Sequence, residues 1–173
     1  DRSIRGDAAV SLTGPEGTGA FIKALDAAWP GLASGVGIDL REVSGGENLS
    51  LGGLEIATVT ASHGGAPALS FRIGAGGGAF VYTGDTGLTG DLVRLSSGVG
   101  LLVSECSTSD EERMESHMSP SDVSKLAVEA GVGRVVLLHI YPGFDREAIA
   151  RAVEEASGLP VSLAGEGDQF DLS

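Results

Sequence analysis

The sequence contains little cysteine, few aromatic residues and no long hydrophobic segment. Its 173 residues include a single cysteine, Cys106, so no disulfide can form within the chain. Aromatic residues make up only 5% of the sequence, so valine, leucine, isoleucine and alanine must supply the core. No hydrophobic run approaches the roughly 20 residues that a membrane-spanning helix needs. The length favours one domain, which we predict to cover residues 1–173.

Positive charge is also scarce, because 11 lysines and arginines stand against 24 aspartates and glutamates, giving a net charge of −13. An acidic surface repels phosphate backbones, so nucleic acid is a disfavoured partner, although a local basic groove is compatible with the sequence. The same charge argues against docking on an anionic membrane, and we expect no membrane partner. With no signal peptide visible, a cytoplasmic location is the expectation.

Glycine, in contrast, is abundant, and its 28 residues form short clusters between apolar runs. This pattern indicates many short elements joined by tight turns. Early strands alternate with few helices and later strands alternate with helices one for one, which predicts a layered α/β fold. The predicted strands are 9–12, 37–43, 54–60, 69–73, 79–83, 100–103, 134–138, 161–164 and 169–172, and the predicted helices are 18–28, 92–95, 119–130 and 145–156.

Three side chains that can bind metal come shortly after predicted strands: His63, Asp85 and His139. The ends of neighbouring strands can converge on one rim, so these side chains can meet there. Imidazole and carboxylate groups are ligands that suit zinc and similar divalent ions. Gly84, directly before Asp85, permits the sharp backbone turn that would bring the carboxylate close to an ion.

Each candidate residue also has an ordinary structural explanation. A single histidine after a strand is more often a surface or core residue than a ligand, and Asp85 in a Gly-Asp-Thr-Gly segment is typical of a turn. Cys106 is interpreted as a small buried hydrophobic residue. His117 lies in a polar segment, where solvent exposure is a simple expectation. Glu105 is harder to explain in this way, because a carboxylate directly after a buried strand needs a partner.

The order of these residues and their local context resemble the metallo-β-lactamase superfamily, and most closely its ribonuclease Z and phosphodiesterase branch. Each matching segment is short, but their shared order along nearly the whole chain is a specific signal. The segments are 11–18 (SLTGPEGT), 60–64 (TASHG), 81–86 (VYTGDT), 104–107 (SECS), 117–119 (HMS) with the helix after it, and 136–139 (VLLH).

This resemblance implies a metallo-β-lactamase-like αββα sandwich and the activity of a metal-dependent hydrolase. It implies that His63 ligates the first metal, Asp85 bridges both metals and His139 ligates the second. The implied cofactor is Zn²⁺, two ions per complete site, with Mn²⁺ or iron as alternatives. Glu105 and His117 match the family's Glu–His pair, whose imidazole protonates the leaving oxygen or contacts phosphate. The implied catalytic residues are therefore Asp85, Glu105 and His117.

The sequence departs from the family pattern in ways that narrow the expected activity. The His-x-His-x-Asp-His motif, which supplies further ligands, is absent. We therefore expect a chain that is incomplete at its N-terminus and lacks the first strands of the sandwich. Residues 64–84 between the third and fourth motifs hold a predicted hairpin and no tRNA-gripping arm. Residues 140–142 (IYP) replace the Ser-x-Arg-Tyr-like stretch of the tRNA enzymes.

Together these features predict hydrolysis of phosphodiester bonds in a small anionic substrate, such as a cyclic nucleotide or a cyclic phosphate. Three alternatives stay open: tRNA 3′ processing, hydrolysis of another ester, thioester or lactone, and a non-catalytic domain of the same fold. The oligomeric state also stays open, with a homodimer among the candidates.

Overall fold

The computed structural model describes residues 10–35 and 37–172, apart from the side chain of residue 75, and they form two compact units. The first unit ends at Ser44 and the second begins at Gly45. Residue 9, in the first predicted strand, lies outside the described residues. The expectation of one domain over residues 1–173 stays a prediction.

The first unit contains two parallel strands and the helix that connects them: β1 (Val10–Gly14), α1 (Thr18–Ala28) and β2 (Ile38–Glu42). A parallel pair needs such a crossover connection, and the helix provides it. The carboxylate of Glu42 accepts hydrogen bonds from the backbone N–H groups of Gly17 and Gly19, at 3.1 and 2.8 Å. These bonds satisfy donors that the start of a helix leaves free, so β2 stabilises the beginning of α1.

The second unit is built on a seven-stranded mixed sheet whose strand order follows the chain, from β3 to β9. Strands β3 to β6 form an antiparallel meander, and β6 to β9 run parallel. The strands are β3 (Asn48–Leu51), β4 (Leu54–Thr60), β5 (Leu69–Ala75), β6 (Gly78–Tyr82), β7 (Leu101–Glu105), β8 (Arg134–Leu138) and β9 (Val161–Leu163).

Three helices connect the parallel strands: α2 (Gly90–Leu95), α3 (Pro120–Ala130) and α4 (Arg146–Ser157). The predicted start and end signals of α3 are confirmed. A capping box formed by Ser119 at the N-cap and Asp122 in the first turn begins it, and Gly131 ends it in the left-handed conformation, with φ 65°. No helix within the described ranges is long and apolar enough to span a membrane.

The direction of the strands places the carboxyl ends of several strands at one edge of the sheet. Strand β5 runs antiparallel to both β4 and β6, so β4 and β6 run the same way. Strands β7 and β8 are parallel to β6. The carboxyl ends of β4, β6, β7 and β8 therefore lie at one edge, the side of an α/β sheet where ligands usually bind.

A hydrophobic core between the sheet and the helices holds this edge in place. Leu102 on β7 and Leu137 on β8 are fully buried, as are Leu126 on α3 and Val153 on α4. Burying an aliphatic side chain of this size contributes about 1.5–3 kcal/mol. The parallel strands and the helices that pack on them thus form a rigid base for the loops at the carboxyl edge.

Cys106 belongs to this core, as predicted. Its side chain is fully buried. Burial and the nearby negative charge of Glu105 raise the pKa of its thiol to about 12. The thiol therefore stays protonated at neutral pH and packs as a small hydrophobic group.

The predicted strand over residues 169–172 is wrong, because this segment forms no strand. Instead, the chain crosses the beginnings of the parallel strands. The backbone oxygen of Leu172 lies 3.1 Å from the position that a Cβ on Gly78 would have and 3.5 Å from that on Gly100. The Arg134 side chain donates to the backbone oxygen of Asp171. A segment that runs across strand ends cannot form the ladder of hydrogen bonds that defines a strand.

Candidate functional site

The residues predicted from sequence gather at the carboxyl edge of the large sheet. Glu105 is the last residue of β7, rather than the first residue after it, and His139 directly follows β8. His63 and Asp85 lie three residues beyond the ends of β4 and β6. His117 lies instead on the long loop between β7 and α3. The sheet therefore positions four of these side chains, and a loop positions the fifth.

Hydrogen bonds close the loop of His117 and hold it against the helix that follows it. The backbone N–H of Ser107 donates to the oxygen of Met118, at 3.0 Å, and closes the loop on itself. Near the middle of the loop, the carboxylate of Asp110 accepts from the backbone N–H and the hydroxyl of Ser121, at 3.0 and 2.6 Å. His117 is consequently 5% exposed, in contrast to the solvent-exposed alternative.

Glu105 and His117 form a buried pair. The Glu105 side chain is fully buried, and its two oxygens lie 2.9 and 3.1 Å from Nδ1 of His117. The carboxylate also accepts from the backbone N–H of Thr86, at 2.6 Å, and from the Ser107 hydroxyl. Because an ionised carboxylate only accepts hydrogen bonds, this arrangement assigns the ring hydrogen of His117 to Nδ1.

Ser107 connects this pair to His139. Its hydroxyl oxygen lies 2.9 Å from Nδ1 of His139 and, as noted, its single hydrogen is donated to Glu105. The hydroxyl oxygen therefore accepts from Nδ1 of His139. This leaves a free lone pair on Nε2 of that ring. The same Nδ1 lies 3.4 Å from Oδ1 of Asp85, so the second predicted carboxylate belongs to the cluster.

The three histidine rings form a row with His117 in the middle. Its ring centroid lies 4.9 Å from that of His63 and 5.6 Å from that of His139. The ligand atoms of Glu105, His117 and His139 all lie within 4.8 Å of one another. His63 is held more loosely, with Nδ1 3.4 Å from the backbone oxygen of Ser116. The structure thus places every residue predicted from the sequence at one edge. The compact set of possible ligand atoms consists of Glu105, His117 and His139, of which His139 is also a predicted ligand.

Tyr141 is a site residue that sequence reasoning missed. Its hydroxyl lies 3.0 Å from Nε2 of His117. Its ring meets the rings of His117 and His139 at centroid distances of 5.4 and 5.3 Å. The signal in the sequence was its position two residues after His139, just beyond a strand that is followed by a candidate ligand.

The backbone at this edge adopts conformations that few residues tolerate. Gly84 has φ 59°, and a Cβ there would lie 3.1 Å from the oxygen of Leu69, which confirms the sharp turn predicted before Asp85. His139 has φ 53° and is the single non-glycine residue with positive φ within the described chain. Such strain is typical of functional sites and costs of the order of 1–3 kcal/mol.

Gly87→Ala should loosen the loop that carries His117. A Cβ at position 87 would lie 2.2 Å from the backbone oxygen of Glu115, and only displacement of the loop can relieve that overlap. We expect the free energy of unfolding, measured by urea denaturation, to fall by about 1–3 kcal/mol. Gly90→Ala is the matched control, because its Cβ would approach only the Arg94 side chain, at 3.5 Å. Equal stability of the two variants would show that the close approach does not constrain the loop.

An open cleft adjoins the cluster on the side of His63. It has a volume of about 790 Å³ and is lined by residues 60–67 and 114–116. Clefts of roughly 300–1,000 Å³ are typical for small-molecule ligands. Among the five candidate residues His63 lines this cleft, whose volume suits a small ligand.

Comparison with known proteins agrees with this architecture. The family model of the beta-lactamase superfamily domain matches residues 3–140. An uncharacterized protein of Mycobacterium leprae is 33% identical over 140 residues, which cover 78% of this chain and 48% of that protein. A ribonuclease Z of Mycobacterium sp. (strain KMS) is 28% identical over 169 residues, covering 83% of this chain and 59% of that enzyme. The chain thus spans about half the length of the curated relatives it matches.

A solved structure shows the same fold. The metallo-β-lactamase fold protein YhfI from Bacillus subtilis superposes with a TM-score of 0.78 at 19% identity, over 92% of this chain and 64% of that chain. The predicted superfamily and fold class are confirmed. The chain belongs to the beta-lactamase superfamily and has the metallo-β-lactamase fold of a family of metal-dependent hydrolases.

Proposed function

We propose that the protein containing this chain hydrolyses phosphodiester bonds in a small anionic molecule, such as a cyclic nucleotide or a cyclic phosphate. The observation that carries the proposal is the buried Glu105–His117 pair beside His139 and Asp85. A carboxylate that accepts from one nitrogen of an imidazole orients the ring and stabilises its doubly protonated form, in which the other nitrogen can give a proton. Departure of an alkoxide from phosphorus is assisted by such a proton donor near the leaving oxygen.

Hydrogen bonding separates the five side chains into proposed ligands and a supporting pair. Both oxygens of Glu105 and Nδ1 of His117 are engaged with each other and with neighbours. In the rings of His63 and His139, the hydrogen bonds to the described residues involve Nδ1 and not Nε2. Nε2 of each of these two rings is therefore open. This division supports His63, Asp85 and His139 as ligands.

The proposed cofactor is Zn²⁺, two ions in the complete site, with Mn²⁺ or iron as alternatives. When bound, divalent ions polarise phosphoryl oxygens and lower the pKa of water. Ser107 would hold the ring of His139 through Nδ1, which directs Nε2 toward the ion, as supporting hydrogen bonds commonly do for metal-bound histidines.

Three observations favour a small substrate. The cleft beside His63 has a volume of about 790 Å³. The net charge of −13 opposes binding of a long polyanion. The interval between His63 and Asp85 is filled by strands β5 and β6 and their short turn. Positive metal ions would still attract a single phosphate, because the ions dominate the local field.

Metal analysis combined with a substrate panel tests the proposal, using protein expressed from its full reading frame. We expect close to two bound zinc, manganese or iron ions per chain. We also expect hydrolysis of bis(p-nitrophenyl) phosphate and of 2′,3′- or 3′,5′-cyclic nucleotides. Hydrolysis of carboxylic esters, thioesters or lactones without hydrolysis of phosphodiesters would overturn the proposed substrate class. Absence of bound metal after reconstitution would favour a non-catalytic domain.

One relative favours a second candidate function, tRNA 3′ processing. A ribonuclease Z is 28% identical over 169 residues of alignment. A precursor tRNA in the same panel distinguishes the two candidates. Cleavage of that RNA with no turnover of cyclic nucleotides would replace the small-molecule proposal with the nuclease.

His117→Ala should reduce turnover without reducing metal content. Loss of a positioned proton donor typically lowers the rate by about 10²–10⁴-fold, and His117 is not among the proposed ligands. Steady-state kinetics and elemental analysis of the same preparation measure the two effects. Glu112→Ala is the control, because Glu112 is an exposed residue of the same loop. Unchanged kinetics of His117→Ala would remove this histidine from the mechanism.

A further inference from the structure

His117 is contacted at both of its ring nitrogens. The Glu105 carboxylate accepts a hydrogen bond from Nδ1, at 2.9 Å, and the hydroxyl of Tyr141 lies 3.0 Å from Nε2. The hydrogen on Nδ1 leaves a lone pair on Nε2 of the neutral ring, so the Tyr141 hydroxyl donates to it. Tyr141 is itself anchored, because its backbone N–H donates to the oxygen of Ser107, at 3.0 Å.

These contacts restrict the ring in a way that one hydrogen bond would not. An imidazole held only at Nδ1 can still pivot about that contact. The Tyr141 hydroxyl opposes this motion from the other end of the ring, and the Tyr141 ring meets the His117 ring at 64°. A group already held in its working orientation needs no reorganisation when the substrate arrives.

We propose that Tyr141 is a positioning residue, whose hydroxyl fixes the imidazole of His117 so that Nε2 faces the rim of the site. The functional consequence rests on the proposed hydrolase activity, in which the ring is protonated and Nε2 gives its proton to a leaving oxygen that takes the place of the Tyr141 hydroxyl. The contact itself does not depend on that activity. Tyr141 would therefore affect the chemical step and not the binding of metal or substrate.

Tyr141→Phe isolates the hydroxyl, because the aromatic ring and its packing remain. We expect kcat to fall about tenfold, KM to stay within about twofold and metal content to stay unchanged, since one hydrogen bond of ordinary strength is lost. Tyr82→Phe is the matched control, because Tyr82 is partly exposed at the end of β6. A change in KM alone would overturn the positioning role.

A double variant tests whether Tyr141 acts through His117. In the His117→Ala background, Tyr141→Phe should cause no further loss of kcat, because the ring that it positions is gone. A further tenfold loss in that background would overturn the proposal and indicate direct contact of Tyr141 with the substrate.

Nuclear magnetic resonance of the metal-free, full-length protein supplies a readout that is independent of activity. The ¹⁵N resonance of Nε2 of His117 should shift in Tyr141→Phe and stay in place in Tyr82→Phe. An unshifted resonance would overturn the contact. A shifted resonance in a protein that hydrolyses no phosphodiester would retain the contact while the proposed function fails.

Discussion

Asp85→Ala should lower kcat/KM by at least about 10³-fold and release metal from the site. Metal coordination contributes several kcal/mol to transition-state stabilisation, and each 1.4 kcal/mol corresponds to about a tenfold change in rate. Asp85 is the proposed bridging ligand, with Oδ1 3.4 Å from Nδ1 of His139 and a half-exposed side chain. Because little structure depends on this carboxylate, the expected loss is in chemistry and metal content, with the fold retained.

Asp91→Ala provides the matched control for this prediction. Asp91 lies on α2 in the same unit, its side chain is 61% exposed, and its ion pair with Arg94 is on the surface. The two variants carry the same change in charge and volume. Elemental analysis and steady-state kinetics should separate them clearly. Full activity and full metal content in Asp85→Ala would contradict the proposed site.

Glu105→Gln should damage both stability and turnover, although the two side chains have nearly the same shape. The fully buried carboxylate accepts from the backbone of Thr86, the hydroxyl of Ser107 and the ring of His117. A glutamine amide has one oxygen, and its NH₂ group would face at least one of these donors. Since a buried unsatisfied donor costs about 1–3 kcal/mol, we expect the free energy of unfolding to fall by that amount.

The turnover of Glu105→Gln should fall about 10²–10⁴-fold, because the His117 ring would lose the partner that holds its hydrogen on Nδ1. Glu129→Gln is the control: Glu129 lies on α3, half exposed, with only a long surface ion pair to Lys125. It should change stability by less than about 0.5 kcal/mol. Denaturation and kinetics indistinguishable from the wild type in Glu105→Gln would show that the buried pair has no functional role.

The sequence predicted best those elements whose ends carry strong local signals. Helix α1 and strands β4 and β8 were predicted with their observed bounds, because glycine or proline lies close to one or both ends of each hydrophobic pattern. Strand β3 was missed. It has four residues, lies at the edge of the sheet and sits between glycine pairs, so its conformation depends on pairing with β4 rather than on its own pattern.

The candidate site was predictable in its residues and not in its contacts. The order of short motifs singled out His63, Asp85, Glu105, His117 and His139, all of which gather at one edge. The bonds of Ser107 and Tyr141 depend on the paths of two loops across that edge. Loop paths arise from tertiary hydrogen bonds that periodicity and spacing do not encode.

The backbone of His139 also has a consequence for how this position would respond to selection. Its φ of 53° suits glycine better than a side chain with a Cβ. A variant library sorted for thermal resistance alone should tolerate glycine at codon 139, since relief of about 1 kcal/mol or more of strain offsets the greater chain entropy of glycine in the unfolded state. The same library sorted for turnover should retain histidine, so the two selections should diverge at this codon.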